Sequence, residues 1–229
     1  MGAATPERES MPMFVRAPMR CHAAALILSL ASAGVSAIEI GEDNIVYGDC
    51  QDLLERIEEY GVWDESGYHP GQPGNTHVQV ETRDTGYRVS YRTDEQGRSC
   101  AFTQVRIRLS VSSVSSRIDW QPESAMGAGC NNQRRQWHEA ITRHEEAHVA
   151  DNRRLEKAYN RDAPLRRYEA CDESEEDAWL ALNEAVSRAA GNAVTEMLKR
   201  IHTAVDHYHQ RQGTHIPMPQ CCQGGHNSY

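Results

Sequence analysis

The spacing of apolar residues changes period once along this chain of 229 residues, and that change limits the folds open to it. Between positions 78 and 111 apolar side chains alternate with polar ones. Val78 and Val80 form the first run, Tyr87, Val89 and Tyr91 the second, and Val105, Ile107, Leu109 and Val111 the third. Asp84-Thr85-Gly86 and Asp94-Glu95-Gln96-Gly97 supply turns between them. Period-two alternation broken by turn residues predicts a three-stranded antiparallel meander with one wet face. Phe102 is out of phase with Val105, which predicts a bulge near Thr103. Arg88, Arg92, Arg106 and Arg108 fall on the polar side and read as a solvated face.

Beyond residue 130 the spacing becomes three and four. Trp137, Ile141, His144, His148, Asp151, Leu155 and Tyr159 mark a helix capped at Asn131 or Asn132 and running to about Asn160, before Pro164. The acidic run from Asp172 to Asp177 suits a second helix start. Its stripe continues through Trp179, Leu182, Val186, Ala190, Ala193, Met197, Ile201, Val205 and Tyr208, as one long helix or two short ones. Leu53, Leu54, Ile57 and Tyr60 predict a short helix over 51–60, ended by Gly61. Residues 64–75 and 112–130 read as connections. The expected fold is α+β: an N-terminal helix and a three-stranded antiparallel meander, followed by a helical half.

The first segment reads as an address. Arg8, Arg16 and Arg20 precede an apolar run of 15 residues from Ala23 to Ala37, which ends in Val35-Ser36-Ala37. Such a pattern describes a secretory signal peptide over 1–37. The run is too short for the ~20 residues that span hydrocarbon, so no stable membrane insertion is expected after its removal. The domain division that follows is a signal peptide over 1–37, one domain over 38–216 and a disordered tail over 217–229. Export, to the periplasm or outside the cell, makes disulfides the default for the remaining cysteines: Cys50, Cys100, Cys130, Cys171, Cys221 and Cys222. Six cysteines allow 15 pairings, which spacing does not resolve. No CxxC pair is present to support a zinc ribbon or a thioredoxin-type site. With 24 basic against 33 acidic residues the net charge is -9, which opposes sequence-independent binding to nucleic acid.

The residues that carry chemistry are His144-Glu145-Glu146-Ala147-His148. Histidines at i and i+4 lie one turn apart on the same helix face, so both imidazoles can reach one ion. Zinc held by neutral imidazoles with a position left open lowers the pKa of a bound water, and Glu145 beside the first ligand can accept that proton. Two histidines need a third protein ligand. A third His six residues on is excluded, because positions 151 and 154 are Asp and Arg. Asp151 shares the face and is better placed to orient an imidazole. Candidates for the third ligand are Glu184, His202, His209 and His215.

The order of these elements resembles a known family. Gly97-Arg98-Ser99-Cys100 leads into the strand Val105 to Val111, followed by Trp120, Trp137 and the two-histidine helix. This arrangement is similar to the bacterial family called domain of unknown function 922, described as predicted secreted zinc-dependent proteases, over about residues 45–216. That family tends to end in a Tyr-Asp segment and a Thr-x-His-Gly turn. Here Tyr208-His209 carries His in place of Asp, and Thr214-His215 brings the later His one place early. The resemblance implies zinc held by His144 and His148, with His215 the closest counterpart of a third ligand.

The function expected from these features is a secreted zinc-dependent metalloprotease. It would act on a peptide or protein substrate, with Glu145 activating the attacking water. An exposed strand edge could align an extended peptide by strand addition. The alternative is an exported, non-catalytic metal-binding or interaction protein, which a closed four-ligand site would favour.

Overall fold

The computed structural model describes residues 38, 40–83, 86–212 and 216–223; the expected signal peptide at 1–37 lies outside the described residues. The fold is α+β, as the change of period implies, with small sheets preceding and flanking two long helices. Strand β1 (Ile45–Gly48) leads into helix α1 (Cys50–Glu59). At the junction Asp49 accepts hydrogen bonds from the backbone N–H groups of Gln51 and Asp52, while the Asp52 carboxylate accepts from Asp49 N–H. This reciprocal cap satisfies donors that the first helical turn leaves unpaired. Gly48 has φ 129°, and a Cβ there would lie 2.7 Å from the Asp52 carboxyl carbon, so the capping geometry requires glycine.

The segment expected to be loop after α1 contains a short hairpin, β2 (Val62–Asp64) and β3 (Gly67–His69). Strand β4 (Gly74–Thr82) follows, then β5 (Ser90–Thr93), β6 (Ser99–Val105), β7 (Leu109–Arg117) and β8 (Asp119–Pro122). The connection expected over 112–130 therefore gives way to the end of β7 and all of β8. Strand β8 pairs in parallel with β1. Helix α2 spans Gly127–Asp162, strand β9 Arg166–Asp172, helix α3 Glu175–Gln212 and the short helix α4 Gln220–Gln223.

The strands do not form the expected three-stranded meander. β4 pairs antiparallel with β7, whereas β6 lies between β5 and β9 in a separate sheet. The run read as one strand over 105–111 is two strands, because the chain passes from one sheet to the other at residues 106–108. The side chain of Asn160 on α2 pins this crossing: its amide oxygen accepts from Leu109 N–H at 2.8 Å and its amide nitrogen donates to Leu109 C=O at 2.8 Å. Val105 and Leu109 keep the alternation yet enter different cores. No bulge occurs at Thr103; β6 and β9 pair without interruption from Ser99–Asp172 to Val105–Arg166. The change of phase is absorbed at the crossing instead.

Three packed clusters hold these layers. Leu53, Val62, Ile118, Trp120, Trp137 and Ile141 join α1, the β1–β8 pair and the first half of α2. Ala101, Val105, Ala178, Leu182 and Val186 pack the start of α3 on the β5–β6–β9 sheet. Leu109, Met197 and Ile201 pack its later turns near β7, with Val78, Val80, Leu155 and Tyr159 around them. Helix α3 is one continuous element of 38 residues, and α2 one of 36.

All six cysteines of 38–229 are paired: Cys50–Cys222, Cys100–Cys171 and Cys130–Cys221. The second bridge joins residues directly opposite each other on β6 and β9. The other two carry adjacent cysteines of α4 to α1 and α2. Residues 217–223, part of the disordered tail expected over 217–229, are tied to the body, with Met218, Cys221 and Cys222 packed against the first cluster. Among the described residues no helix is long and apolar enough to cross a membrane.

Candidate metal centre

Helix α2 buries Trp137, Ile141, Glu145, His148 and Val149 along one stripe, so the same periodicity that anchors the helix turns His144, Glu145 and His148 inward. Helix α3 passes alongside and contributes His209 from its final turns. The Nε2 atoms of His144 and His209 lie 3.2 Å apart, as do those of His148 and His144. The three histidines form a group whose ligand atoms lie within 4.8 Å of one another, a set able to hold a metal ion.

The chemistry of this donor set fits a divalent metal. Nitrogens about 2.0–2.1 Å from a tetrahedral zinc are separated by about 3.3 Å, close to the spacing found here. Burial, and then the neighbouring His209, lower the pKa of His144. Burial, followed by the charges of His144 and His209, pushes His148 down to about 4. Neutral imidazoles with their Nε2 atoms gathered together are the state a metal requires.

Glu145 is 4% exposed. Its Oε2 accepts a hydrogen bond from Thr76 Oγ1 on β4 at 2.8 Å, and Thr76 Oγ1 is also 2.9 Å from Ser115 Oγ on β7. Burial pushes the Glu145 carboxyl up to about 7, and the Thr76 hydrogen bond only partly offsets it. A cation held by the histidines would favour the ionised form. Tyr208 packs its ring 5.0 Å from His144 and 4.8 Å from His148, centroid to centroid. Its hydroxyl is raised above the usual tyrosine pKa by burial, then by the charges of Glu145 and Asp151.

The cluster opens into a cleft of about 420 Å³, walled by residues 71–76 and Val78 on one side and by α2, Val205, His209 and Ile216 on the others. Strand β4 pairs only with β7 among the described residues, so its other edge has no strand partner. The first residues of β4 are held in place by Asp64. Its carboxylate accepts from Asn75 Nδ2 at 2.5 Å, from Ser66 N–H at 2.7 Å and from Ser66 Oγ at 2.6 Å, with His69 Nε2 at 3.0 Å. Asn152, 1% exposed, donates to Ser113 Oγ at 3.1 Å and ties α2 to β7 at the cleft floor.

Of the third-ligand candidates, the structure brings His209 to the pair. His202 is exposed. Glu184 is exposed on α3 and bonded to Arg188 at 3.0 Å. His215 lies outside the described residues. Asp151 pairs with Arg154 at 3.1 Å instead of bonding an imidazole. Gly74, Thr76, Tyr208 and Asn152 were not singled out by sequence reasoning as parts of a site. Tyr208 alone carried a signal, since it precedes a histidine on the apolar stripe of α3. No family model, curated protein or solved structure matches the chain.

Proposed function

We propose that the protein is a zinc-dependent metallohydrolase that cleaves peptide bonds, with His144, His148 and His209 as metal ligands and Glu145 as general base. The observation that carries this reading is the convergence of three imidazole Nε2 atoms beside a buried carboxylate at the foot of an open cleft. A structural metal alone would need no such carboxylate, and among the described residues no fourth His, Cys, Asp or Glu joins the cluster.

Zinc bound there would lower the pKa of water and polarise a carbonyl. Glu145, its Oε2 oriented by Thr76, accepts the proton of the attacking water and can return it to the leaving amine. The unpaired edge of β4, whose first residues line the cleft, suits an extended peptide added as a neighbouring strand. Export and proteolysis within the family resembled in sequence belong to the same proposal; three disulfides are compatible with an oxidising compartment.

The test is metal content of the purified protein together with hydrolysis of a panel of unstructured peptides. The reading expects about one zinc per chain. Glu145→Gln should keep the zinc and lose about 10²–10⁴-fold in rate. Turnover that survives in Glu145→Gln removes the proposed base. Failure to take up zinc removes the metal reading altogether.

A further inference from the structure

A second cleft, of about 550 Å³, opens where the far end of β4 and the start of β7 meet the C-terminal half of α2. Arg83 and Arg108 line it from the strand ends, and Arg153, Lys157 and Arg161 from the helix; Glu156 is the one carboxylate among the lining residues. The backbone beneath them is fixed. Arg83 N–H donates to Arg108 C=O at 2.9 Å, and Asn160 commits both amide atoms to Leu109. The helix positions recur at three and four, so they share one face.

Glu156 is held by Arg83 at 2.6 Å, and Arg161 is held by Asp162 at 2.8 Å. Arg108 and Lys157 have no ion pair among the described residues. A chain with 33 acidic and 24 basic residues has carboxylates to spare for every cation. Three separate segments bring five exposed cations together around this cleft, where like charges repel and a bound anion would relieve the repulsion. Four of the five cations are arginines, whose planar forks match tetrahedral oxyanions. Arg153 and Arg161 stand about 12 Å apart along the helix axis, too far to share one phosphate.

We propose that this cleft binds a ligand carrying two or more phosphoryl groups, either a free polyphosphorylated anion or a lipid headgroup of the same chemistry. The site is independent of the histidine cluster and of the peptidase reading. Its contacts would be charge-assisted hydrogen bonds from Arg108 and Lys157, with Arg83 and Arg161 able to turn from their carboxylates toward the ligand.

Titration calorimetry with inorganic tripolyphosphate tests it on the purified, metal-free protein, so that an ion at the histidines contributes nothing. Saturable binding that weakens with added salt is expected. Arg108→Gln with Lys157→Gln should weaken it about tenfold or more. Arg188→Gln with Arg200→Gln removes the same charge from exposed helix positions and should change it by no more than about twofold. Cosedimentation with phosphatidylcholine vesicles containing cardiolipin separates the sources. Vesicle binding released by tripolyphosphate identifies the headgroup, and tripolyphosphate binding without sedimentation identifies the free anion. Absence of saturable tripolyphosphate binding, or equal loss in the two double variants, overturns the proposal.

Discussion

Gly74 and Glu145 are packed so closely that no side chain fits between them: a Cβ at position 74 would stand 2.8 Å from Glu145 Oε1 and 2.6 Å from Ile141 Cγ2. Glycine is what lets the start of β4 lie on α2 at the proposed base. In Gly74→Ala the strand must retreat or Glu145 must turn, because Ile141 is fixed on a helix and fully buried. Overpacking of this kind costs about 1–3 kcal/mol, read as a lower urea midpoint with an unchanged slope. The retreat would also lengthen the Thr76–Glu145 hydrogen bond, so hydrolysis should fall further than zinc affinity does.

The two histidines near the end of the chain should respond differently. His209 brings its Nε2 to 3.2 Å from that of His144. Removing one of the three proposed ligands should weaken zinc by well over the roughly 10–100-fold that loss of a supporting group costs. Competition against a chromophoric chelator is therefore expected to show His209→Ala with strongly reduced affinity and His215→Ala close to the parent. The opposite ranking would move the third ligand back to position 215, the place suggested by sequence resemblance.

Long elements and the placing of His144 and His148 on one helix face were legible in the sequence, and pairing between distant segments was not. The periodicity of Trp137, Ile141 and His148 marks α2 because a helix shows its buried face locally. Alternation over 105–111 shows equally well that these residues are extended. It says nothing about which strand lies beside them, and the break at 106–108 depends on Asn160, over 50 positions away. His209 had the same standing as His202 in the sequence, since both lie on one helix at a spacing of seven. Only the path of α3 past α2 separates them. Thr76 and Gly74 act through a contact with α2 that leaves no periodic trace.

Adjacent Cys221 and Cys222 fasten the segment after α3 to two different helices. Ile216 on that segment lines the cleft at the histidine cluster, and Cys221 N–H donates to Gln133 Oε1 at 2.6 Å. Replacing each bridge as a pair, Cys50→Ser with Cys222→Ser or Cys130→Ser with Cys221→Ser, should cost about 2–5 kcal/mol. Replacing both should also release residues 216–223. Limited proteolysis would then cut after α3 while the Cys100–Cys171 sheet stays protected. Equal resistance in the four-serine variant would show that packing of Met218 suffices without the bridges.

His138 is expected to make stability depend on pH away from the histidine cluster. Its Nε2 accepts from Trp120 N–H at 3.1 Å, and its Nδ1 lies 3.3 Å from the Asp119 carboxylate. Burial, followed by the charge of Arg117, pushes His138 down to about 4, although Asp119 acts in the other direction. In the unfolded chain the same group protonates near its ordinary value of 6.5. Between these values the unfolded state binds more protons, so the contribution is complete above about 6.5 and is lost as the pH falls toward 4. Its size is at most about 3 kcal/mol. His138→Gln should destabilise the protein at neutral pH, since Trp120 N–H loses its acceptor geometry. The variant should also show a shallower fall in unfolding free energy between pH 6.5 and 4 than the parent. Urea titrations of both proteins across that range measure the difference directly. Parallel curves would assign the acid sensitivity to other groups, with His144 and His148 the first to examine because burial, followed by their neighbouring histidines, lowers both from the same ordinary value of 6.5.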